Sequence, residues 1–174
     1  MKKQPGFSLI ELVVVLALNA ILFGLALPVL ERPLKDAAFD RFEFELTGTL
    51  IEARRYAQLS GRAVWFLPCE NGGYRLVLDQ RDGDLLTESG VAGTIQCRLP
   101  DQGLRHPTSG GALSSSFSSS HSDGFVFRAK GSSSGTIVYS DGHSRAVCMI
   151  LSGQTGRFRV FSWNRWEDIW EPRY

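Results

Sequence analysis

The chain has 174 residues, enough for one domain with a terminal appendage, and its apolar content of 43% is sufficient for a folded core. A formal net charge of +1 gives no global basic signal for nucleic acid. Three cysteines, Cys69, Cys97 and Cys148, are too few for a disulfide scaffold, and with no C-x-x-C spacing they argue against zinc.

Met1 to Gly6 reads MKKQPG, short, basic and closed by glycine. The next 24 residues, Phe7 to Leu30, contain a single charge, Glu11. As a helix rising roughly 1.5 Å per residue this run would be about 36 Å long, enough to cross a bilayer core. Lys2 and Lys3 would stay cytoplasmic by the positive-inside rule, placing everything after Leu30 outside. Three readings compete. A removable secretory signal, cut near Gly24-Leu25-Ala26, would release a soluble β protein, but Glu11 then lies where a carboxylate is costly. A plain signal anchor explains the length and leaves Glu11 without a reason. The third reading accounts for both.

Gly6-Phe7-Ser8-Leu9-Ile10-Glu11-Leu12 resembles the class III signal of type IV prepilins, and the resemblance continues through the apolar run to Pro28. It implies that a prepilin peptidase cleaves between Gly6 and Phe7 and methylates the new amino terminus at Phe7. It also implies a role for Glu11: a carboxylate inside an apolar helix bundle needs a partner, and the family supplies the cationic amine of a neighbouring subunit's first residue. The alternative for Glu11 is a carboxylate resting at headgroup level. Asn19 departs from the family's wholly apolar stretch.

Beyond Pro28 and Pro33, which remove helix hydrogen bonds and favour a kink, Phe42, Leu46, Leu50, Ala53 and Ala57 recur at spacings of three and four. That is one apolar face of an amphipathic helix ending near Ser60-Gly61. Short apolar or β-branched runs then predict strands over 63–67, 74–78, 125–129, 136–140, 144–151 and 157–161, with Asp141-Gly142 as a two-residue hairpin turn. Asp79, Asp82 and Asp84 around Gly83 lack the order of a calcium loop and read as a hairpin turn. Thr108 to Asp123, rich in serine and glycine, reads as a mobile loop.

Residues 59–66 (LSGRAVWF), 71–78 (NGGYRLVL) and 131–160 resemble the GspH/FimT group of minor pseudopilins; residues 79–123 carry no part of that resemblance. The fold it implies is α+β, a pilin-like long N-terminal helix packed on an antiparallel β-sheet head. The implied organisation is a leader over 1–6, a transmembrane or filament-core helix over 7–30, its amphipathic second half over 31–61, and a periplasmic β head over 62–174. The implied role is structural: a subunit of a type II secretion pseudopilus or type IV pilus, held in the inner membrane, near the filament tip and aiding assembly. Its partners would be the prepilin peptidase and other pilin subunits.

No catalytic constellation, cofactor motif or metal-ligand spacing is visible. His106, His121 and His143 lie in turn contexts, and Ser114–Ser120 lacks a nucleophile motif. In an oxidising periplasm Cys69 and Cys97 are the expected disulfide pair, with Cys148 a buried thiol in mid-strand. The last feature is Gly156-Arg157-Phe158-Arg159, where strand alternation sends both arginines to one face; Arg165, Trp163, Trp166 and Trp170 follow. Arginines beside aromatic rings can hold phosphates and stack on bases. Some FimT-type pilins use such a G-R-x-R element for DNA uptake, so the resemblance adds DNA as a partner. The opposing reading is a solvated hairpin edge whose tryptophans cover the core.

Overall fold

The computed structural model describes residues 8–69, 72–89, 95–101, 103–121, 123–164 and 168–173, and for 25–32 and 164 the backbone only. Helix α1 runs Leu9–Ser60. Nine strands follow: β1 Val64–Pro68, β2 Tyr74–Leu78, β3 Leu85–Ser89, β4 Phe117–Ser119, β5 Phe125–Phe127, β6 Gly135–Ser140, β7 Arg145–Leu151, β8 Phe158–Asn164 and β9 Ile169–Pro172. One sheet has the order β3-β2-β1-β5 and the other β4-β6-β7-β8-β9, with antiparallel pairing throughout. The α+β class and the order of a long helix before antiparallel sheets are as the resemblance implied.

The chain forms two compact units, Met1–Arg41 and Phe42–Tyr174. In the first, the helix backbone continues through Pro28 and Pro33. Within the second, the last five turns of α1 pack on the sheets through the face read from the periodicity. Phe42, Leu46, Leu50, Ala53 and Ala57 are all buried, and each large side chain so removed from water contributes about 1.5–3 kcal/mol. Phe42 meets Tyr139 of β6 edge-on at 5.1 Å, and Thr49 shares a 2.8 Å hydrogen bond with the Tyr74 hydroxyl on β2. The helix stops where Gly61 takes φ +71°, a left-handed conformation that costs glycine little. Its amide donates to the Ala57 carbonyl at 3.1 Å.

The five-stranded sheet is buried on both faces. Tyr139, Val147 and Ser162 lie on the α1 side; Val138, Cys148 and Phe161, one residue along in each strand, lie on the other. There they form a second core with Leu104, Ala146 and Trp163, against which Leu99 and Leu113 pack. Part of the stretch 79–123 therefore serves as a lid on this sheet.

Three expectations change. The serine-rich stretch 108–123 is not a loop throughout: Phe117 anchors β4 by packing on Phe125 at 5.4 Å, and β4 pairs with β6. Its serines bond the backbone, as Ser116 Oγ does to the Cys97 carbonyl and Ser119 Oγ to that of Gly124. The β6–β7 connection is four residues, 141–144, not two, because the Asp141 carboxylate accepts the amides of His143, Ser144 and Arg145 at 2.8–2.9 Å. Strands β3 and β9, both at sheet edges, lay outside the predicted set. The turn 79–84 does form a hairpin into β3, closed by the Leu78 amide on the Asp84 carbonyl.

Candidate functional site

The described apolar side chains at the start of α1 are all exposed, from Leu9 at 81% through Val15 at 49% to Phe23 at 65%. Glu11 lies among them, exposed, in the first turn. Asn19 satisfies its own amide by donating to the Val15 carbonyl at 2.8 Å, one turn back, so this polar residue fits an apolar helix without a partner chain. Gly6 and Phe7 lie outside the described residues. Among the described residues no helix is long and apolar enough to cross a membrane. The side chains described there end at Gly24, short of the roughly 20 residues a span needs, so the membrane span expected over 7–30 is not shown.

The arginine element lies at the connection from β7 to β8. Gly156 is buried at φ +61°, and its amide donates to the Ser152 carbonyl, closing the turn that brings Arg157 to the start of β8. Arg157 and Arg159 are exposed while Val160 is buried, as alternation predicts. Both arginines line an open cleft of about 640 Å³ together with Ile51, Arg54, Ile150, Ser152, Thr155 and Phe158. Arg54, on the helix, is the member that strand alternation could not reveal; its guanidinium donates to the Thr155 carbonyl at 3.3 Å. The cleft therefore holds three guanidinium groups and no carboxylate over a partly apolar floor.

The aromatic side chains expected beside these arginines are turned inward. Trp163 is buried in the second core, and Trp170 packs against it and donates its indole N–H to the Arg105 carbonyl at 2.7 Å. They stabilise the head instead of presenting open faces for stacking. Arg165 and Trp166 lie outside the described residues.

The remaining polar candidates have local partners. His106 faces the Thr136 and Thr108 hydroxyls, His121 lies edge-on to Trp65, and His143 is 3.5 Å from Asp101. Asp79 pairs with Arg62, whose guanidinium holds its carboxyl below the usual range. Among the described residues, no group of three or more His, Cys, Asp or Glu side chains could hold a metal ion. The expected Cys69–Cys97 disulfide is not formed: all three cysteines are free thiols. Glu43 escaped the sequence reading. It is buried on the apolar face of α1, accepts from the Ser162 hydroxyl at 3.0 Å and lies 3.7 Å from the Arg173 guanidinium. Its position next to Phe42 and three residues before Leu46 was the available signal.

Residues 1–27 match the model of the prokaryotic N-terminal methylation motif. Residues 45–155 match that of the type II transport protein GspH, covering the helix face from Leu46 on, both sheets as far as β7 and the lid over the second core. No curated protein and no solved structure matches the chain. More than half of the sequence thus carries the GspH pattern behind a prepilin methylation signal, and the chain belongs to the GspH family of pseudopilins.

Proposed function

We propose that this chain is a non-enzymatic minor pseudopilin, built into a type II secretion pseudopilus or type IV pilus near its tip, where it helps start assembly. A prepilin peptidase cuts between Gly6 and Phe7, and residues 7–30 hold the mature subunit in the inner membrane with its head in the periplasm. The observation that carries this reading is the exposed apolar start of α1 with one carboxylate, Glu11, set into it. Such a surface is stable only when lipid or neighbouring helices cover it. Glu11, drawn into that bundle, is neutralised by the methylated amine of the adjacent subunit's Phe7, which sets the axial step.

The first test is the mass and N-terminal sequence of protein isolated from its own cell envelope. Methylated Phe7 at the terminus supports the reading; a terminus beyond Ala20 leaves a secreted β domain and ends it. Glu11→Val should then leave processing intact and abolish co-purification with other pilin subunits.

A second reading, DNA binding for uptake, is favoured by one feature, the convergence of Arg54, Arg157 and Arg159 on a cleft without an acid. The inward-turned Trp163 and Trp170 weigh against it. A mobility-shift assay with a short duplex and the detergent-solubilised chain decides: affinity that is unchanged by Arg157→Ala with Arg159→Ala removes the reading.

A further inference from the structure

The cleft at the β7–β8 connection sets three guanidinium groups beside apolar side chains, Ile51, Ile150 and Phe158, and no carboxylate lines it among the described residues. Ile51 is exposed there, as are Arg157 and Arg159. A nucleic-acid backbone answers the guanidinium groups and leaves the apolar floor wet. An acidic segment that also carries aliphatic side chains answers both. The chain itself contains such a segment. Strand β3 is the edge strand of the four-stranded sheet and is exposed from Leu85 through Glu88. Leu85 and Leu86 stand in water, with Asp82, Asp84 and Glu88 beside them in sequence, all exposed. Asp84 lies 3.9 Å from Arg62, which already binds Asp79. Arg75 is the register partner of Glu88 on β2, but neither Glu88 nor Asp82 enters an ion pair among the described residues.

Strand β3 does not reach the cleft of its own chain. The Ser89 hydroxyl, at the end of β3, donates to the Glu45 carboxylate of α1 at 2.7 Å, whereas the cleft meets α1 through Ile51 and Arg54. Glu45 and Arg54 are nine residues apart, about two and a half helical turns, so they leave α1 on opposite flanks. The helix therefore separates the strand from the cleft. We propose that the cleft receives β3 of a second copy of this chain. In that contact Leu85 and Leu86 cover Ile51, Ile150 and Phe158, while Asp82, Asp84 and Glu88 face Arg54, Arg157 and Arg159.

The two surfaces differ, so the contact is heterologous: each copy that joins leaves one cleft and one β3 open, and copies add in one direction instead of closing as a two-fold pair. Covering the leucines and the cleft floor drives the association. The charges choose the partner surface, because cleft against cleft or β3 against β3 would set like charges together. Occupation also covers an apolar edge strand that is otherwise open to unspecific pairing. The inference concerns the head alone and goes beyond the anchor reading without depending on it. It competes with DNA for the same cleft.

The experiment follows the full chain in detergent by sedimentation velocity, over a concentration series at low and high salt. Wild type should associate, and less so as salt rises. Arg157→Glu with Arg159→Glu, and separately Asp82→Lys with Glu88→Lys, should each weaken association about tenfold or more. An equal mixture of the two variants should recover it, because an intact β3 then meets an intact cleft. Association through the apolar start of α1 would respond to neither pair of substitutions. Where a charge reversal lowers Tm, Arg157→Gln with Arg159→Gln and Asp82→Asn with Glu88→Gln take its place. Wild type that stays monomeric, association that neither pair moves, or variants that fail to recover on mixing overturn the inference. Loss with the arginine pair alone also overturns it and leaves the cleft to DNA. Methylated Phe7 in a chain without this association overturns the inference and leaves the pseudopilin reading standing.

Discussion

Glu43 on α1 and Ser162 on β8, 119 residues apart, meet in a 3.0 Å hydrogen bond inside the head. The carboxylate is almost sealed from water, and its other oxygen faces Arg173, which is half exposed. This pair ties the helix to the C-terminal strands where packing alone would not dictate their register. No buried side-chain nitrogen or oxygen among the described residues is left without a partner, so removing one member of such a pair creates a new deficit.

Glu43→Ala should therefore destabilise the head by about 2–3 kcal/mol, since it strands the Ser162 hydroxyl and opens space in the core. Arg173→Ala should cost less than about 1 kcal/mol because that ion pair is open to solvent. Urea unfolding of the two variants checks this; equal losses would show that the ion pair, not the buried hydrogen bond, is the important contact.

Gly72 and Gly48 should respond oppositely to alanine. Gly72 has φ +85° and lies against the Ile95 carbonyl, so Gly72→Ala should cost about 2 kcal/mol or more. Gly48 is in mid-helix with nothing within 4 Å of a new Cβ, and Gly48→Ala should stabilise by about 0.5–1 kcal/mol. Thermal unfolding of both variants is the measurement.

Asp141 makes part of the head's stability depend on pH. Burial by itself would raise its pKa, but the Arg145 amide, the Ser144 hydroxyl and the His143 and Ser144 amides together hold it below its ordinary 3.8. A depressed folded-state pKa contributes stability that is present above the unfolded value and is lost as pH falls through the folded value. The stability gap between wild type and Asp141→Asn should thus be constant at neutral pH and shrink below about pH 4. A gap that persists unchanged to pH 2 would assign the effect to turn geometry alone.

Cys148 should resist alkylation in the folded protein. Burial pushes its thiol up to about 12, and the thiolate is the reactive form. Iodoacetamide at pH 8 should leave Cys148 unlabelled until denaturant is added; rapid labelling would mean that the lid over the second core opens readily.

Several features were legible in the chain itself. The prepilin signal and the helix face Phe42–Ala57 are local patterns, and the six predicted strands all occur because alternation and β-branched runs report burial directly. Strand β4 was hidden because one phenylalanine, Phe117, among serines does not make an alternating pattern until Phe125 is placed beside it. Strands β3 and β9 were hidden because edge strands, with Leu85, Leu86 and Ile169 partly in water, carry little hydrophobic signal.

The sequence by itself determined the class of the protein, through a terminal signal whose residues are neighbours and whose spacing needs no fold to be read. Tertiary structure alone decided which distant groups meet. It placed Arg54 beside Arg157 and Arg159, and Glu43 under Ser162. The reason is physical: local patterns follow the 3.6- and 2-residue periods of single elements, whereas a site joining a helix to a strand a hundred residues later depends on strand pairing and packing that no local window contains.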